Sequence, residues 1–216
     1  MNYFQVVYFI LLTTSLIISF WKVGRTSLKI FPYLLLLSLI TEIINIILYR
    51  KFKNQIIENI IYQIYIPIEF ILLSIFFYSN TQNLKFKVFI KVSVFAYLIT
   101  DLIVGYKLSF IIFPGHILNL EGLFISIMSA NLLLNLPINV KKPVFYVPFL
   151  WVGLGLLLYY SSTFIYNGLY NYLLINKPQI HNLLYNVMMK VPNYLLYILL
   201  SIGFLCQQQT KTLSLR

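Results

Sequence analysis

The chain has 216 residues, 60% of them hydrophobic and only 10% charged, with a formal net charge of +11. Its mean hydropathy is +0.85. A soluble domain carries about a quarter charged residues, so this chain cannot cover a water-facing surface, and its 18 Tyr and 18 Phe exclude a disordered one.

Apolar runs bounded by basic or turn residues mark spanning helices, in chain order at 3–21, 30–49, 60–78, 88–104, 117–136, 148–167 and 187–206. Seven spans of about 20 residues use roughly 140 positions and leave room only for short loops. The expected fold is all-α: one polytopic transmembrane bundle over residues 1–206, followed by a short polar cytoplasmic tail at 207–216. A barrel does not fit, because the runs are continuously apolar rather than alternating. The first run lacks a basic leader and a small-residue cleavage site, so it reads as a retained span. Aromatic residues at the span ends, among them Phe20, Trp21, Phe31, Tyr33, Phe77, Tyr78 and Tyr166, suit the headgroup layer. The stretch 105–116, with Phe-Pro-Gly-His at its end, reads as a loop or as part of a re-entrant segment. Cys206 is the single cysteine, which excludes a disulfide framework and a cysteine-rich zinc site.

Basic residues set the expected orientation. Lys22, Arg25, Lys29, Lys85, Lys87, Lys91, Lys141, Lys142, Lys211 and Arg216 fall on one side; Arg50, Lys51, Lys53, Lys107, Lys177 and Lys190 fall on the other. Positive charge favours the cytoplasm, so the N-terminus is expected outside and the C-terminus inside a bacterial inner membrane. The net charge then serves topology and contact with anionic headgroups. No basic patch is concentrated enough for nucleic acid.

Of the 5 acidic residues, Glu42, Glu69, Asp101 and Glu121 fall inside spans, and Glu58 falls in a loop. A carboxylate in hydrocarbon costs about 2.5–3.5 kcal/mol or more, so these side chains should face one another, water or a ligand. Counted at about 1.5 Å of rise per residue, all of them lie between mid-membrane and one surface, the outer one in this orientation. His116, His181, Lys190, Asn193, Ser161, Ser162 and Thr163 lie at the same level. Glu42 and Asn45 share a helix face, and Tyr62, Tyr65 and Glu69 follow i, i+3, i+7, which sets two phenols above one carboxylate. Pro67 removes a backbone N–H and frees the carbonyl of Gln63. Tyr97 and Asp101, four apart, can hydrogen-bond across a turn. The expected ligand pocket is Glu42, Asn45, Tyr65, Glu69, Asp101, Glu121 and Asn193. The competing reading is that the carboxylates are protonated and simply bond neighbouring helices. Gly122, Ser126 and Ala130, with Gly153 and Gly155, read as small-residue packing surfaces.

Several chemistries can be weighed against this pattern. A Schiff-base pigment needs a lysine deep in the last span, whereas Lys190 sits near its surface end and reads as snorkelling. A three-histidine zinc hydrolase is excluded because the chain has 2 His. A mixed metal site from His116, His181, Glu69 and Glu121, or a metal-free hydrolase using Glu69 for proton transfer, stands as one alternative. A proton- or cation-coupled transporter using Glu42 and Glu69 is another, although no inverted repeat is visible and the inner halves of the spans are mostly apolar. A receptor needs only an outward pocket and a bundle with two packings. The expectation is therefore a non-enzymatic sensor or signalling component without metal or cofactor. Its expected partners are the lipid bilayer, a small polar or cationic ligand and a signalling protein.

Leu-Ile-Thr-Glu at 39–42, Tyr-Ile-Pro-Ile-Glu-Phe at 65–70, and Tyr-Leu-Leu-Tyr-Ile-Leu at 194–199 with Phe204 and Cys206 carry a resemblance. In this order they resemble small seven-helix membrane proteins of Bacteroidota-type bacteria that have no assigned activity. The resemblance covers most of the chain, implies a seven-helix inner-membrane protein and brings no mechanism with it.

Overall fold

The computed structural model describes residues 3–23, 27–52, 55–107, 115–136 and 143–213. Its helices are α1 (Tyr3–Lys22), α2 (Phe31–Phe52), α3 (Gln55–Asn80), α4 (Leu84–Lys107), α5 (Gly115–Leu134), α6 (Pro148–Asn176), α7 (Pro178–Tyr185) and α8 (Val191–Leu213). A 3-10 turn covers Val144–Tyr146 and a π-helical turn covers Asn186–Lys190. Among the described residues there is no strand. Among the described residues 7 segments are long and apolar enough to cross a bilayer, the last running through α7, the π turn and α8 over Gln179–Gln207. The chain is an integral, multi-pass all-α bundle.

Most boundaries fall where the apolar runs end, with informative exceptions. α4 takes in Gly105 and Tyr106, and α5 takes in Gly115 and His116, so the ambiguous stretch shrinks to 108–114, which lies outside the described residues. Glu58 belongs to the first turns of α3, not to a loop. α8 carries helix on to Leu213, so much of the expected polar tail is helical backbone. At 29 residues, α6 is about 44 Å long, longer than the hydrocarbon layer of about 30 Å. Of the residues used for orientation, Arg25, Lys53, Lys141, Lys142 and Arg216 lie outside the described residues.

The last span and α3 each contain a proline inside a membrane helix, and they handle it differently. Pro192 lacks an N–H, and its ring would crowd the carbonyl four residues earlier. The π turn just before it widens the helix, and the N–H of Val191 bonds the carbonyl of Asn186. Pro67 is carried inside α3 with no change of helix type.

Packing closes the helices into a ring. α1 packs on α2, α2 on α3, α3 on α5, α5 on α6, α6 on α8, and α8 on α1. α4 lies outside the ring against α3 and α5. The outer faces carry exposed apolar stripes, for example Ile60, Ile64, Ile68 and Ile75 on α3, and Val88, Val92, Phe95 and Leu102 on α4. Such stripes would be an aggregation hazard in water, but they are the required surface in lipid. Lipid tails are as apolar as leucine, so close van der Waals contact between backbones, not apolar burial, must hold these helices together. The small residues supply it. A Cβ on Gly122 would stand 3.0 Å from both the Cβ of Phe164 and the carbonyl oxygen of Tyr160; one on Gly153 would stand 2.8 Å from Leu133 Cδ2. The α5–α6 seam is the most extensive in the bundle.

Toward the face where α1 ends and α2 begins, here the C-terminal face, aromatic rings fill the ring interior. Phe31 of α2 sits 5.0 Å from Phe76 of α3 and 5.8 Å from Phe204 of α8, centroid to centroid. Phe149 of α6 lies 6.2 Å from Phe76. Phe31, Phe76 and Phe204 are wholly buried.

Candidate functional site

The opposite half of the ring interior, toward the N-terminal face, is filled with phenols and carboxylates. Glu42 of α2 is reached by the hydroxyls of Tyr8 from α1 and Tyr62 from α3, each donating to its Oε1 at 3.3 Å. The Tyr8 hydroxyl also lies 3.4 Å from that of Tyr197 on α8. A phenol has one proton, so Tyr8 donating to Glu42 obliges Tyr197 to donate to Tyr8. The result is a relay from α8 through α1 to α2.

A second cluster centres on Glu69 of α3, with Tyr65, one turn earlier, and Tyr160 on α6 as its phenolic neighbours. The Tyr65 hydroxyl is 2.7 Å from Ser38 Oγ of α2, and Ser38 in turn sits 2.9 Å from the carbonyl of Leu34. With the Ser38 proton on the carbonyl of Leu34, the Tyr65 hydroxyl donates to Ser38 Oγ and ties α3 to α2.

Glu121 of α5 stands beside Glu69, Tyr160 and Tyr97. It is only 2% exposed, and its Oε1 has no hydrogen-bond partner among the described residues. Tyr97 enters from α4, its ring 4.3 Å from that of Phe70, with 0% exposure and an unpartnered hydroxyl. Among the described residues no lysine, arginine or histidine pairs with Glu69 or Glu121. Tyr65, Glu69 and Tyr159 are half-buried, whereas Glu121, Tyr97 and Tyr160 are buried.

The expected pocket residues therefore divide. Tyr65, Glu69 and Glu121 come together, and Glu42 anchors the adjoining relay. Asn45 is 5% exposed, one turn from Glu42 toward the N-terminal face, with both amide atoms unpartnered. Asn193 shares a face of α8 with Tyr197, one turn nearer that surface, its Oδ1 unpartnered. Asp101 does not join them. It sits on α4 outside the ring and is only half-buried, and the bond expected between it and Tyr97 is not made, since the Tyr97 hydroxyl has no partner among the described residues. Tyr62 also departs from expectation, turning to Glu42 on the neighbouring helix.

The other polar residues at this level are spent elsewhere. His181 Nε2 is 3.0 Å from the Tyr166 hydroxyl, where α7 packs on α6. The Lys190 ammonium lies 4.5 Å over the ring of Phe4 and 5.2 Å over that of Tyr185. Ser161 and Thr163 donate to carbonyls of their own helix, at 2.6 Å and 3.0 Å. The side chain of His116 lies outside the described residues. Among the described residues no three His, Cys, Asp or Glu side chains gather as a metal site would require.

Sequence reasoning missed Tyr8, Tyr159, Tyr160 and Tyr197. The signal was depth. Tyrosines at span ends belong to the headgroup layer, but these lie well inside their spans, where a hydroxyl in hydrocarbon needs a partner. No family model, no curated protein and no solved structure matches this chain.

Proposed function

We propose that the protein is a non-enzymatic sensor or signalling component of a bacterial inner membrane, binding a small polar or cationic ligand in the N-terminal half of its ring interior. One observation carries this reading. Glu69 and Glu121 sit inside the bundle with phenols as neighbours and no cationic side chain paired with them among the described residues, and Glu121 is buried with an unpartnered oxygen. An unpaired buried carboxylate costs several kcal/mol, roughly, unless a proton or a cation joins it, and such a group inside a membrane span marks function more often than architecture. Access from one side is supported by the layer of Phe31, Phe76 and Phe204, which packs the other half of the ring. The loop charges favour the N-terminal face outside. A ligand that ties α3, α5 and α6 together would favour one packing of the ring over another, and a partner protein at the cytoplasmic face would read that shift.

The test is ligand-induced stabilisation of the purified protein in lipid nanodiscs, screened against small amines, amino acids and polyols. Stabilisation by at least one compound, lost in Glu69→Gln and weakened in Glu42→Gln, is the expected result. If both variants leave stability and ligand response unchanged, the reading is wrong. Liposomes containing the protein should show no ligand or proton flux; flux that depends on Glu69 would replace the sensor with a transporter. Stoichiometric metal lost in Glu121→Gln would replace it with a metal-dependent hydrolase.

A further inference from the structure

We infer that the ligand of this pocket is a protonated amine that donates hydrogen bonds from its nitrogen to Glu121 and Glu69, with its carbon chain among the neighbouring tyrosine rings. This rests on the pocket reading above and narrows it to one chemical class.

The inference starts from what the pocket lacks. Glu121 Oε1 and the Tyr97 hydroxyl are buried and have no partner among the described residues. A carboxylate oxygen can only accept, so a group placed against Glu121 must bring a donor. The site also holds two carboxylates, Glu69 and Glu121, without a matching cation among the described residues. A neutral alcohol brings a donor but no charge. A quaternary ammonium brings charge but no donor, leaving the Glu121 oxygen buried and unsatisfied. A water molecule satisfies one oxygen and leaves the charge as it was. A protonated primary amine supplies a positive charge and three N–H donors on one atom, and charge-assisted bonds of this kind are about twice as strong as neutral ones. The surroundings fit the rest of such a ligand. Tyr159 and Tyr160 meet edge to face at 5.0 Å on the α6 side, and aromatic faces attract both a cation and the methylene groups next to it.

The experiment uses the full chain in nanodiscs and three probes that share one butyl chain and differ only at its head: butylammonium, N,N,N-trimethylbutylammonium and 1-butanol. Affinities are read by calorimetry and by the shift in melting temperature. Butylammonium is expected to bind at least about tenfold more tightly than either comparison compound. Glu121→Gln should cut that preference about tenfold or more. Tyr97→Phe, which keeps the ring and its packing, should weaken butylammonium binding by a smaller factor, and it decides the matter if Glu121→Gln does not fold. Equal or tighter binding of the trimethylated probe or of butanol, or no effect of Tyr97→Phe and Glu121→Gln, overturns the amine assignment. If no probe binds but other compounds stabilise the protein in a Glu69-dependent way, the amine assignment falls and the pocket stands. If nothing binds and Glu69→Gln is silent, both fall.

Discussion

Toward the C-terminal face the ring interior holds Phe31, Phe76 and Phe204, while toward the N-terminal face it holds Tyr8, Tyr65, Tyr159 and Tyr160 around Glu42, Glu69 and Glu121. Phenyl and phenol differ by one oxygen, and that oxygen changes what packing is permitted. The phenylalanines need only contact, so they close on one another from α2, α3 and α8 and leave no accessible surface. The phenols carry a hydroxyl that calls for a partner: Tyr8 and Tyr62 find Glu42 and Tyr65 finds Ser38, while the Tyr97 hydroxyl has none among the described residues. One half is built for cohesion. The other leaves buried polar atoms such as Glu121 Oε1 and the Tyr97 hydroxyl without a partner among the described residues.

Substitutions should separate the two halves. Phe76→Ala has the largest expected effect, a loss of about 3 kcal/mol from a cavity at the middle of the phenylalanine layer. Reversible unfolding in mixed micelles would measure it, and the ligand affinity of the surviving folded protein should change little. A loss that reached binding as strongly as stability would erase the distinction between the halves. Gly122→Ala comes next, at about 2 kcal/mol, because the new methyl group meets backbone of α6 at 3.0 Å. Its control is Gly168→Ala, where nothing lies within 4 Å, and stability should hold or rise by up to about 1 kcal/mol.

Glu121→Met should act in the opposite direction. Replacing a buried, half-unpartnered carboxylate by an apolar side chain of similar length should stabilise the bundle by about 1–2 kcal/mol while abolishing ligand response. Destabilisation instead would make Glu121 a structural bond between helices. The smallest expected effect is at Ser38 and Tyr65. A double-mutant cycle of Ser38→Ala and Tyr65→Phe should give a coupling of about 0.6–1 kcal/mol, typical of hydrogen bonds between membrane helices. A coupling near zero would place these hydroxyls in separate networks.

Much of the molecule was legible before the structure. The spanning helices follow from apolar run length, and the small-residue positions at Gly122, Gly153 and Gly155 follow from the need for close backbone approach in lipid. The grouping of Tyr65, Glu69 and Glu121 was anticipated from depth, since carboxylates at one level of a bilayer have few places to hide. Depth says nothing about which helices line the interior, and Asp101 lies on α4, which packs outside the ring against α3 and α5. Tyr8, Tyr159, Tyr160 and Tyr197 are not legible as a group in the sequence, because a tyrosine within an apolar span does not say which way its helix is turned.

Composition and run length determine that this chain crosses a bilayer as helices, because hydrocarbon leaves backbone N–H and C=O groups no other way to be satisfied. They also determine the depth of every carboxylate, which is a matter of counting along an axis. Rotation about that axis is another matter. In water an apolar stripe tells a helix which way to turn, but here the lipid-facing and ring-facing surfaces are both largely apolar, and the stripe gives little direction. Spacing along α3 set Tyr62 and Tyr65 over Glu69; contact with α2 turned Tyr62 to Glu42, and contact with α6 brought Tyr160 to Glu69 in its place. Those rotations are fixed by all the neighbours of a helix together, through close contacts such as that of Gly122 with Tyr160, and they exist only once the ring has closed.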